Sequence, residues 1–300
     1  MIQNKPYEFM TRYTPQREWI EDHGMLLWVS TFFVEIGAAA FFVASFFNNI
    51  AAMFIGLLIC AVIGGSLHVL ELGRPLRIWR ILFSSGFKTS WISRGMWSVS
   101  LFIGFGALYL GLAVTFEKIP ALLFAANFFA FFAMIYLGFL LSYVNGLALW
   151  NSALMPILIL SISIWGGLDI LGITSMVTGT VTDKAVLLSR IFPLVISFIV
   201  ICYLVGIRYQ GESGRLSFKE IVFKKGAPVF WIGFVFLGVA FPVVINLGHV
   251  LSGNMPSEIR SVIPVFELAA NLSLRYCILK WAIYEPIIPH EDYSTQFERG

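Results

Sequence analysis

Charge is scarce in this sequence. Only 12% of its 300 residues are Asp, Glu, Lys or Arg, against about 25% in soluble domains. Hydrophobic residues make up 58% and the mean hydropathy is +0.84. A soluble fold of this length could neither bury that much apolar surface nor cover itself with so few charges. A soluble enzyme, a disordered chain and a nucleic-acid binder are therefore excluded, and a polytopic membrane protein remains. Cysteine is equally sparse. Cys60, Cys202 and Cys277 sit in apolar runs with no C-x-x-C spacing, so the sequence encodes neither an iron–sulfur cluster nor a zinc site. There are four histidines, and only His23 and His68 fall at one depth, which excludes a two-haem cytochrome. Residues 1–22 hold seven charges and no apolar core, so the first helix is expected to serve as its own insertion signal.

Long apolar runs are what the sequence has in abundance. Eight are long enough to cross about 30 Å of hydrocarbon: 24–47, 50–71, 93–116, 120–144, 148–172, 186–207, 228–250 and 260–284. Runs of this length in lipid must be helices, because no water satisfies the backbone there. A barrel would need short alternating strands instead. The expected fold is all-α, a bundle of eight transmembrane helices with both termini on one side. A polar segment (1–22) precedes the membrane domain (23–285), and a tail (286–300) follows it. Of the 20 Lys and Arg, 15 fall on the side of the termini, here called the near side. The positive-inside rule reads that side as cytoplasmic. A basic face that docks an acidic partner gives the same count.

Charged groups at membrane depth are costly and mark candidate sites. Span one carries Glu35 near its middle. Span two ends in Gly64-Gly65-Ser66, His68 and Glu71. Span five sets Ser161, Trp165 and Asp169 on one face. Span eight does the same with Glu267, Asn271 and Arg275. That last stripe must face the bundle interior or water. It reads as a proton or ion path, or else as a Glu267–Arg275 clamp within the helix or glue between helices.

Several ordered motifs resemble a known family. They are Leu72-Gly73-Arg74-Pro75 with Arg77, Trp79 and Arg80; Ser90-Trp91-Ile92-Ser93-Arg94-Gly95-Met96-Trp97; Tyr136-Leu137-Gly138-Phe139-Leu140-Leu141-Ser142; and Leu149-Trp150-Asn151-Ser152 with Leu154-Met155-Pro156. Their order and spacing are similar to the polysulfide reductase membrane subunit family, NrfD/PsrC, over about residues 20–285. The resemblance implies a membrane anchor that exchanges electrons with quinone or menaquinone and carries no haem or cluster of its own. The implied partners are a [4Fe–4S] ferredoxin-like subunit and, through it, a molybdopterin catalytic subunit. It also implies quinone contacts by a His at the start of span one and a Tyr in span four, which match His23 and Tyr136.

Quinol oxidation releases two electrons and two protons, so its site needs hydrogen bonds and a group that titrates near neutral pH. His23 and Tyr136 are expected to contact the head group, with Trp150 and Asn151 at the entrance and His68 or Glu71 nearby for proton exchange. Glu35, Asp169, Glu267, Asn271 and Arg275 are expected to carry protons. Arg74, Arg77, Arg80 and Lys88 are expected to dock the cluster subunit or lipid head groups. Two rival readings use the same residues: a single-haem b quinol cytochrome subunit, and an ion-coupled secondary transporter.

Overall fold

The computed structural model describes residues 10–22, 24–72, 79–83, 88–252 and 257–288. The side chains of Leu82, of residues 249–252 and of 257–261 lie outside the description. Among the described residues, eight helices are long and apolar enough to span a membrane: Gly24–Phe46, Ile50–Glu71, Trp91–Thr115, Pro120–Ser142, Met155–Thr178, Asp183–Arg208, Val229–Gly248 and Val262–Lys280. The molecule is thus an all-α, multi-pass membrane protein. Local chemistry sets several of the helix starts. The Asn49 side chain accepts from the Ala52 N–H at the start of span two. Spans four and five open on Pro120 and Pro156, where the missing N–H costs nothing.

The helices are unequally buried. In span one 67% of the apolar window is enclosed, in span five 61% and in span eight 56%, whereas span six has 17%. Spans one, five and eight therefore form the centre, and the others turn broad faces to lipid. Spans one and two meet backbone to backbone. A Cβ added at Gly37 would lie 2.5 Å from the Cys60 nitrogen, and one at Gly56 would lie 2.7 Å from the Gly37 oxygen. Small residues permit this approach. Beyond it, span two runs through a π-helical turn at Ile59–Gly64, a local widening common near functional sites.

Span five begins at Met155, later than the apolar run starting at 148 suggested. Residues 148–154 are an irregular segment that remains apolar because protein covers it. Trp150 is fully buried and its indole donates to the Ile278 carbonyl at 2.8 Å. The Tyr203 hydroxyl bonds the Leu149 carbonyl. Non-helical backbone at such depth is tolerated where protein encloses it. Span eight likewise stops at Lys280 rather than 284. Residues Ile283–Tyr284 instead form a short antiparallel strand with Thr14–Pro15, which ties the segments flanking the bundle to each other. The buried Gln16 amide reinforces that tie by donating to the Leu279 carbonyl at 3.2 Å. An amphipathic helix, Gly211–Val222, lies beside the strand, and its Ser217 hydroxyl accepts from the Ile283 N–H.

Candidate functional site

A cavity of about 490 Å³ opens among spans one to four at their near-side ends. Span one contributes Leu27, Thr31 and Val34, and span two contributes Gly65, His68, Val69 and Glu71. Span three adds Gly95, Met96 and Val99, and span four Tyr136, Leu137 and Leu140. Glu18 and Trp19, from the segment before span one, stand at the mouth. Most of the wall is apolar, and a few polar groups converge at one end, the usual character of a small-molecule site.

Two of those groups are ready to bind. His68 Nδ1 lies 2.7 Å from the Ser30 hydroxyl, and Ser30 donates to the Leu27 carbonyl at 3.0 Å. With its one hydrogen so used, Ser30 accepts from Nδ1–H, which assigns the tautomer and leaves Nε2 as the ring's acceptor. The Tyr136 hydroxyl forms no hydrogen bond with any described residue and is not sealed from the cavity. Span three makes room for it: a Cβ at Gly95 would lie 2.3 Å from the Tyr136 ring. Only glycine at position 95 lets the tyrosine lie where it does.

Below the cavity floor stands a buried ion pair. Glu35 is 0% and Arg275 2% exposed, and the guanidinium Nη1 bonds the Glu35 carboxylate. Arg275 Nη2 reaches the Ser163 hydroxyl at 3.1 Å, and Nε donates to Asn271 Oδ1 at 2.9 Å. Ser163 also donates to Glu35 at 2.9 Å. The clamp considered within span eight is not formed. Arg275 crosses to span one, because Glu267 sits eight residues away, about 12 Å along the axis. Glu35 and Arg275 are also the electrostatic neighbours of Tyr136, which links this pair to the cavity.

Glu267 pairs with a different partner. Its carboxyl adjoins that of Asp169, which is 1% exposed, and the Trp165 indole. The two acids thus form a buried carboxyl pair. Neither acid forms an ion pair with a Lys or Arg among the described residues. A second cavity, about 100 Å³, reaches this pair from the far side, lined also by Ser175, Arg190 and Asn246. Four buried polar atoms along the column lack a hydrogen-bond partner: Glu35 Oε1, both Asp169 carboxylate oxygens and the Trp165 Nε1. Orphans at this depth require a bound proton, a water or a ligand.

The other expected residues lie elsewhere. Trp150 stands one layer back, its ring 5.1 Å from that of Trp19, and Asn151 bonds Asn145 at 2.7 Å; neither lines the cavity. Their apolar segment was read as the start of span five, which begins at Met155 instead. Arg80 and Lys88 are exposed, with the Arg80 guanidinium 5.5 Å above the Trp79 ring. His23, Arg74 and Arg77 lie outside the described residues. Sequence reading missed Ser30, Thr31 and Ser163, since a lone hydroxyl in an apolar helix has no pattern to betray it. It also passed over Glu18. That carboxylate acts on Tyr284, whose pKa is raised first by burial and then by Glu18.

The family model for polysulphide reductase, NrfD, matches residues 22–285. A stretch of 151 residues is 28% identical to the polysulfide reductase C subunit of Wolinella succinogenes, covering 48% of this sequence and 48% of that protein. The match spans about half the length of that curated relative. The motif resemblance is thus borne out, and the chain belongs to the polysulphide reductase NrfD family.

Proposed function

We propose that the chain is the membrane-anchor subunit of an oxidoreductase complex and that the near-side cavity is its quinone site. The observation that carries this reading is the cavity itself, which is mostly apolar, is set among four spans, and is lined by both Tyr136 and His68. Tyr136 bonds one quinone oxygen. His68, through Nε2, accepts a proton from the quinol or bonds the other oxygen, and His23 joins it from the start of span one. Glu71 and Glu18 pass the protons to the near face. Each quinol oxidised gives one quinone, two protons and two electrons. The electrons go to the redox centre of an iron–sulfur partner, which in turn serves a molybdopterin subunit. Arg74, Arg77, Arg80 and Lys88 flank the cavity mouth in sequence and give an acidic partner its docking face.

The column beneath the cavity supports proton movement between the two faces. Asp169 and Glu267 take protons from the far cavity, and Asn271, Arg275, Ser163 and Glu35 lead toward Tyr136. The orphaned oxygens fit this role, because a fully satisfied structural network would leave none.

Removing only the hydroxyl tests the site. Tyr136→Phe in the assembled complex should lower quinone-linked kcat/KM about 100-fold while the thermal midpoint stays within a few degrees. Unchanged quinone-linked turnover would refute the assignment.

A further inference from the structure

We propose that the gap between spans two and three is the seat and lateral entry of the quinone's hydrocarbon tail, and that Gly65 sets its width. This rests on the quinone reading above and names how the substrate reaches the site.

Three observations converge. First, the cavity wall is mainly apolar, with Val69, Met96, Val99 and Ile103 from spans two and three, and Tyr136 and His68 are among its few polar lining groups. A head group satisfies the polar groups and a hydrocarbon tail the apolar wall. Second, the two helices diverge. Span two packs on span three chiefly through its first half, where a Cβ at Gly106 would lie 3.2 Å from Leu57. Toward the near side the last turns, Gly65–Glu71, hold no fully buried residue, and most are half-buried. The helices thus form a V that is closed at the far side and open where the cavity lies. The lining residue Ile92 is 47% exposed at this end, where Ile81 of the short helix Trp79–Phe83 also lines the cavity.

The third observation is Gly65. Its neighbour Gly64 is required by packing, since a Cβ there would lie 2.7 Å from Val34. At Gly65 an added Cβ would meet nothing closer than the Cys60 carbonyl at 3.6 Å, an ordinary contact. Glycine weakens a helix interior relative to alanine, and here neither packing nor backbone conformation requires it. What its missing side chain preserves is open cavity. A ligand dissolved in the bilayer enters sideways, and a wall without a side chain at position 65 leaves the passage for a flexible tail.

The test compares one head group with and without its tail. Full-length protein in detergent binds 2,3-dimethyl-1,4-naphthoquinone or its tetraprenyl counterpart, with tryptophan quenching as the readout and concentrations referred to the micelle phase. The matching benzoquinone pair is run in parallel. Gly65→Leu should weaken the prenylated form about tenfold and the tailless form less than twofold. Equal weakening of both forms, or of neither, overturns the tail seat while leaving the head-group site standing. If the wild-type protein binds no form of either ring, the quinone reading fails, and this inference with it. Should Gly65→Leu not fold, Val99→Trp narrows the gap from the facing helix and must show the same split between the two forms.

Discussion

Single residues decide the interior of this protein. A buried ion pair is weak evidence for stability, because desolvation offsets much of the attraction, but removing one partner strands the other. Arg275→Met should therefore destabilise the fold by about 3–5 kcal/mol by leaving the Glu35 carboxylate uncompensated. Adding Glu35→Leu should restore most of that loss, as denaturant unfolding in mixed micelles would show. No recovery in the double variant would mean that Arg275 acts mainly through Asn271 and Ser163. At this scale the sequence was partly legible. The intramembrane Glu35, Asp169, Glu267 and Arg275 stood out by cost alone, and all four are buried at 2% exposure or less. Their pairing was not legible. Glu35 and Arg275 are 240 residues apart in sequence, and no local spacing announces a bond across that distance.

At the scale of elements, hydropathy served well because lipid leaves the backbone one choice. Eight spans were expected and eight are found among the described residues, most within a few residues of their expected ends. The exceptions share one cause. Residues 148–154 and 281–284 are apolar but not helical, because neighbouring elements take up their polar backbone groups: the Leu149 carbonyl by Tyr203, and the Ile283 N–H by Ser217. Hydropathy reports burial and cannot tell burial in protein from burial in lipid. Trp150, expected at the cavity's entrance, packs against Trp19 and donates to the Ile278 carbonyl. The π-helical turns at Ile59–Gly64 and Val229–Ala240 carried no signal in composition, since they differ from α-helix by a single hydrogen-bond shift.

The whole molecule reads as two cavities, one toward each face, with a polar column between them. The near cavity takes Tyr136, His68 and Glu71, the far cavity reaches Asp169 and Glu267, and the Glu35–Arg275 pair stands between them. If protons cross along this line, Glu267→Gln should lower the proton-to-electron ratio in proteoliposomes while quinone-linked electron transfer persists. An unchanged ratio would remove Glu267 from the path. The far cavity also offers the sharpest control for the binding of quinone among spans one to four. Photolabelling the full-length protein with a head-group azidoquinone and mapping the modified peptides locates the bound ring. Label should fall in spans two to four around Tyr136 and Gly95 and be displaced by excess unlabelled quinone. Displaceable label confined to the far-side ends of spans five to eight would contradict a near-side quinone site.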